Sequence, residues 1–319
     1  MPRKPSRKRR FVDMWLVPNM HPTNIEVLQK LKSADDRQFG TNMDVVGTVS
    51  EQDTEAGDWQ KTHLVGVRAD LWSPDDEELE KSLKSLHKDR QEQLRKSIKR
   101  SGRLSQKQQH QLQQELADDA VMNIEANDVE VRRMVLKLFK TSSKRMRLEG
   151  TIEEQTASEV HNTMGSRRPL LSMAVILPGY EYLNFVQQNH RTLRLPSLFT
   201  FCFYDDRQDH MWHVIIKRKW ISVGADFTIE AGRDRIGEID GHLIGLGYNA
   251  NISLQDHPLA ENGDFMDLLT LFTTSVGYHR GMRRGIRRRV KAVQAGRAKQ
   301  HVVENEEMWL RKNPRRRAA

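Results

Sequence analysis

Trp220-Ile221-Ser222-Val223-Gly224-Ala225-Asp226-Phe227-Thr228-Ile229 returns 23 positions later as Leu243-Ile244-Gly245-Leu246-Gly247-Tyr248-Asn249-Ala250-Asn251-Ile252. Ile221 aligns with Ile244, Val223 with Leu246, Gly224 with Gly247, Asp226 with Asn249 and Ile229 with Ile252. Each copy is an apolar stretch, a glycine, a short polar step and a second strand-forming stretch. A unit this small cannot bury its own apolar face, so its repetition implies β-hairpins stacked side by side. Nothing in the repeat carries catalytic chemistry.

The surroundings extend the β reading. Leu198-Phe199-Thr200-Phe201-Cys202-Phe203-Tyr204 is dense in β formers. Residues 205–209 read as a turn. Beyond it, Met211, His213, Ile215 and Lys217 alternate with Trp212, Val214, Ile216 and Arg218, as on the two faces of a strand. Ala231-Gly232-Arg233-Asp234 predicts a hairpin turn, and Asp240-Gly241 a second. Residues 170–177 form another apolar run, and 11–17, 45–49 and 64–71 read as further strands. Phe265, Leu268, Leu269, Phe272 and Val276 give residues 265–276 a broad apolar helical face, with Asn262 or Asp264 as the cap.

Residues 74–149 have a different character. Ser73-Pro74-Asp75-Asp76-Glu77-Glu78 combines a cap residue, an early proline and acids that suit a helix start. A glutamine-rich helix opens at Ser105, and Val131, Met134, Val135 and Leu138 place a third helix over 129–139. The segment reads as a charged helical insertion that offers a surface to a protein partner.

The repeat resembles the tubby C-terminal-like superfamily, in its LURP-one-related and phospholipid-scramblase-like branch. Residues 219–229, the turn near Gly232, residues 236–243 and the second copy carry that resemblance. It implies an α+β fold: a closed antiparallel β-barrel around an apolar C-terminal helix, with 265–276 in the position of that helix. It assigns residues 150–279 to the barrel repeats and helix, 11–73 to strands that complete the barrel or belong to a separate unit, and 74–149 to the insertion. Residues 280–319 become a basic helix and tail, and 1–10 a solvated basic tail. The resemblance also implies a non-enzymatic module associating with anionic lipid or phosphoinositide, cytoplasmic and peripheral to a membrane. The phosphoinositide-binding, calcium-site and palmitoylated-cysteine features of the family have no matching residues here.

Charge points the same way. The chain has 319 residues, 30% of them charged, and a net charge of +9; its mean hydropathy is −0.72. Such a balance favours an anionic partner. Two clusters are the candidate anion sites: Lys217, Arg218 and Lys219 at the end of a strand, and Arg280, Arg283, Arg284, Arg287 and Arg288 along a helix. In that helix an apolar stripe of Met282, Ile286 and Val290 runs between the arginines. A helix of this kind lies on an anionic membrane, tracks nucleic-acid phosphates or packs on its own protein. A nucleic-acid-associated or scaffolding role is therefore the alternative reading.

Other chemistry is not indicated. No P-loop, nucleophile elbow, HExxH or EF-hand pattern is present. Gly241, Gly245 and Gly247 fall among strands, where phosphate loops do not form. His210 and His213 stand three apart, which puts them on opposite faces of a strand and argues against shared metal ligation. Cys202 is the only cysteine, so no disulfide forms within the chain, and its apolar neighbours predict a buried thiol. No cofactor, no secretory signal and no run long enough to span a membrane is expected.

Overall fold

The computed structural model describes residues 8–15, 43–52, 57–68, 71–72, 133–142, 146–166, 168–189, 197–220, 225–244 and 247–311. The chain divides into two units, Met1–Trp72 with Asp128–Ala319, and Ser73–Asn127; the described residues all belong to the first. Most of the expected insertion, Ser105 included, lies outside them, as does the stretch Ile221-Ser222-Val223-Gly224.

Twelve strands make the architecture: β1 Lys8–Trp15, β2 Met43–Gln52, β3 Trp59–Arg68, β4 Val135–Thr141, β5 Met146–Glu154, β6 Ser172–Ile176, β7 Asn184–Gln188, β8 Leu198–Asp205, β9 His210–Arg218, β10 Phe227–Ala231, β11 Asp234–Ile244 and β12 Gly247–Leu254. Among the described residues, four α-helices accompany them: α1 Thr156–Met164, α2 Gly263–Val276, α3 His279–Gln294 and α4 Val303–Arg311. The strands close into one antiparallel barrel in the order β1-β12-β11-β10-β9-β8-β7-β6-β5-β4-β3-β2. Strands adjacent in sequence are adjacent in space, and β1 pairs with β12 to remove both edges. The repeat is realised as β10 and β12, which flank β11: Phe227 pairs with Ile239, and Ile239 pairs with Ile252.

The barrel's apolar side chains meet α2. All residues from Phe265 to Val276 are buried, polar ones included. The helix packs against β1, β4, β5 and β12. Its Phe265 ring meets Phe203 of β8 at 5.2 Å, and Phe272 meets Phe199 of β8 and Phe227 of β10 at 5.1 and 5.7 Å. Its hydroxyls turn inward: Thr270, Thr273, Thr274 and Ser275 each donate to a carbonyl of the preceding turn at 2.6–2.8 Å. The start of α2 is fixed by Asn262, whose Oδ1 accepts from Phe265 N while its Nδ2 donates to the fully buried Asp205 at 2.9 Å.

Several expectations are corrected. Lys8, Arg9 and Arg10 are not tail: they begin β1, and Arg10 is buried, donating to Asp267 of α2 at 2.5 Å, to Thr270 at 3.0 Å and to Glu51 at 2.7 Å. The helix expected over 129–139 is replaced by β4 from Val135 onward, and β5 takes up 146–149 of the expected insertion. Five consecutive buried residues in β4 mimic helical spacing because both faces of the strand are covered. Helix α1 falls within the region assigned to the barrel repeats. Asp240-Gly241 is not a turn but the middle of β11. A Cβ at Gly241 would lie 2.7 Å from the Ala225 carbonyl oxygen and 2.7 Å from Tyr248 Oη, so close packing explains the glycine. Cys202 is exposed on the outer wall of β8.

Two outcomes test this core. A Cβ at Gly150 of β5 would meet Leu271 Cδ1 of α2 at 2.7 Å and Leu177 Cδ2 at 2.8 Å. Gly150→Val overpacks that contact and lowers the denaturant-unfolding free energy by about 1–3 kcal/mol. Burial pushes Asp267 up to about 6, against the opposing pull of Arg10. The unfolded chain then ionises first, so the stability this carboxyl contributes is full below about pH 4 and is lost as pH rises through about 6. Asp267→Asn, which cannot ionise, therefore gains stability relative to the native protein over that interval, on the order of 3 kcal/mol by pH 7. Parallel denaturant titrations at pH 4 and pH 7 measure it.

Candidate functional site at the arginine-bearing end of the barrel

Helix α2 leads through Gly277 and Tyr278 directly into α3. The start of α3 is locked by aromatic contact. Tyr278 meets Trp72 edge-on at 5.7 Å, and the His279 ring lies 5.4 Å from Phe199 and 6.0 Å from Phe272. Burial, then Arg283 and Arg218, push His279 well below the ordinary histidine value, so its ring is neutral. Ser275 Oγ lies 3.2 Å from its Nε2.

Helix α3 carries six arginines and one lysine and no acid. Its buried side consists of His279, Met282, Ile286, Arg289 and Val290. The apolar stripe thus packs on the protein itself and is not offered to a membrane. Arg289 falls on the same stripe and is taken up internally. It pairs with Glu154 of β5, and its Nη1 donates to Glu159 of α1 at 3.1 Å. Glu154 also accepts from Met134 N at 2.8 Å, and Glu159 from Ser172 N at 3.2 Å. Burial, followed by the charge of Glu154, pushes Glu159 well up toward its neutral form. The Arg289 guanidinium thus bridges two buried carboxyls.

The other arginines of α3 face outward to differing degrees. Arg280, Arg287 and Arg288 are exposed, and Arg283 and Arg284 are half-buried. Arg283 donates to Gln188 Oε1 of β7 at 3.4 Å. Its guanidinium is pushed down to about 10, first by desolvation and then by Arg218 and Arg287. Arg218 stands at the last position of β9, on the barrel-facing register of Val214 and Ile216. The two sequence clusters thus converge: Arg218 from β9 joins Arg283 and Arg287 from α3 in one repulsive field. A like-charge group held partly out of water is an arrangement that an incoming anion relieves.

The remaining predicted residues behave differently. Lys219 Nζ donates to Glu238 Oε2 at 3.0 Å, beside Arg235 at 2.9 Å. The Lys219 hydrogen bond, ahead of the charges, pulls Glu238 below its usual value. Lys217 lies on the opposite register of β9 from Arg218. Arg288 sits further along α3, against α1. No group of metal-ligating side chains occurs among the described residues, His210 and His213 included. Sequence reasoning missed Glu306 of α4, whose carboxylate caps α1. It accepts from Ala157 N and Ser158 N at 3.1 and 3.2 Å and from the Thr156 and Ser158 hydroxyls at 3.3 Å each. No local pattern announces a cap supplied from 150 residues away. The Arg289 position was legible, since it follows Ile286 by three on the buried stripe.

Two large apolar side chains are exposed at the strand ends beyond the register row of Arg218, Phe227 and Ile239. Trp220, 69% exposed, follows Arg218 and Lys219, and Leu243, 54% exposed, lies near the end of β11 on the same side of the barrel. Among the described residues, no helix is long and apolar enough to cross a membrane. Comparison of the chain with protein-family models, curated proteins and solved structures gives no match.

Arg289→Met leaves two buried carboxyls without their cation and costs about 3–5 kcal/mol of stability at neutral pH. Glu159→Gln preserves the shape of a group that already favours neutrality and costs about 1 kcal/mol or less. Thermal and denaturant unfolding of both variants checks that order.

Proposed function

We propose that the chain is a non-enzymatic, tubby-like binding module that associates with anionic membrane lipid, phosphoinositide above all, as a peripheral protein of the cytoplasm. Within this reading α2 is the central helix of the barrel, and α3 presents the lipid-binding arginines. The observation that carries it is the convergence of Arg218, Arg283 and Arg287, with Arg283 held below its ordinary value first by desolvation and then by its two like-charged neighbours. Guanidinium groups suit phosphate because their forked donors match its oxygens. Trp220 and Leu243 favour a lipid surface over a nucleic acid: an indole prefers the headgroup layer, and an aliphatic side chain gains nothing from a phosphate backbone. Because the apolar stripe of α3 is buried, the contact is electrostatic with shallow apolar anchors, and the helix itself does not insert.

Vesicle flotation across a salt series tests this. Vesicles of phosphatidylcholine with a phosphoinositide bisphosphate are expected to bind the protein, and phosphatidylcholine alone is not. Each basic side chain at such a surface contributes about 1 kcal/mol. Combined Arg218→Gln, Arg283→Gln and Arg287→Gln should therefore weaken binding on the order of a hundredfold, whereas Lys219→Gln, a residue already ion-paired, changes it little. A gel shift on duplex DNA with no preference for anionic vesicles would overturn the lipid reading and favour the nucleic-acid one.

A further inference from the structure

A second feature lies along the other flank of α3 and uses different residues. Between α1 and α3 runs a cleft of about 440 Å³, within the usual size of small-molecule sites. Ala157 and Val160 of α1 form one wall, Ala292 and Val293 of α3 the other, and Ala298 closes one end. That end is a built wall. Gly296, with φ of 66°, turns the chain back in the left-handed region that favours glycine. The backbone amides of Arg297 and Ala298 then both reach the Ala292 carbonyl, at 2.9 and 3.3 Å.

The rim is cationic. Lys291, Arg297 and Lys299 line the cleft and are exposed. Its described lining contains no carboxylate. Glu154 and Glu159 hold Arg289, and Glu306 caps α1. The α1 amides are thereby already satisfied, which leaves the rim cations as the groups that select a ligand.

We infer that this cleft binds a single-chain anionic amphiphile, with its alkyl chain between α1 and α3 and its head on Lys291, Arg297 and Lys299. An apolar slot alone accepts any alkyl chain, and a cationic rim alone accepts any anion. Together they require both parts in one molecule. A carboxylate and a phosphate monoester head share the needed chemistry.

Isothermal titration of the full chain with monomeric dodecanoate, dodecyl phosphate and dodecanol tests the inference. Saturable binding of one or both anions, at least tenfold tighter than dodecanol, is expected. Combined Arg297→Glu and Lys299→Glu, at exposed positions that leave the core untouched, should weaken anion binding at least tenfold. Ala298→Trp should abolish it by filling the slot. The combined Arg283→Gln and Arg287→Gln variant should bind dodecanoate like the native protein, which separates this site from the proposed vesicle-binding face. No saturable binding, equal binding of dodecanol, or indifference to the charge reversal would overturn the inference.

Discussion

Helix α2 has no face left for water, and the rest of the molecule is arranged around that constraint. A buried helix must satisfy every polar group it carries. The four hydroxyls of its second half do so by bonding back to the helix's own carbonyls. Asp267 does so with Arg10, reached from the first strand of the barrel. Asn262 and Asp205 settle its first turn. Its apolar side chains are met by β1, β4, β5 and β12 and by aromatic rings of β8 and β10, strands of one closed barrel.

Burying α2 also determines what α3 can do. The two helices are separated by only Gly277 and Tyr278, so α3 must leave from wherever α2 ends. Its apolar stripe goes back onto the barrel, along with the one arginine on that stripe. Arg289 is tolerated there because two carboxyls from α1 and β5 meet it and one of them favours its neutral form. Off the stripe, Arg283 lies within the field of Arg218 and Arg287. Helical phase divides these side chains: Arg289 is buried, while the adjacent Arg288 and Arg287 are exposed.

The β character of 198–254 was legible because one strand face meets the core and the other meets solvent, leaving alternation in the text, as in Val214 and Ile216 against Ile215 and Lys217. The 23-residue echo was legible because β10 and β12 pack equivalently on either side of β11. β4 was not, since burial on both faces erases the alternation and leaves Val135, Leu138 and Phe139 at spacings that also fit a helix. Arg10 was hidden in a run of basic residues whose composition looks solvated; only its partner 257 residues away makes it a core residue. Local pattern also cannot show that Lys219 is neutralised by Glu238 while Arg218, its neighbour, shares a field with α3. Charge sums located both clusters, and only long-range pairing distinguishes their members.

The two ends of α2 carry opposite charge, and the helix itself favours this. Its first turn lies among Asp264, Asp206 and Glu149, acids close enough to push Asp264 up together with burial. Its last turn runs into His279, Arg283 and Arg218. A helix presents partial positive charge at its N-terminus and partial negative charge at its C-terminus, an effect that is stronger where water is excluded. Acids at the start and arginines at the end therefore both lie in a favourable field. That field offsets part of the repulsion among Arg218, Arg283 and Arg287, and the charge of Glu159 offsets a further part at Arg283.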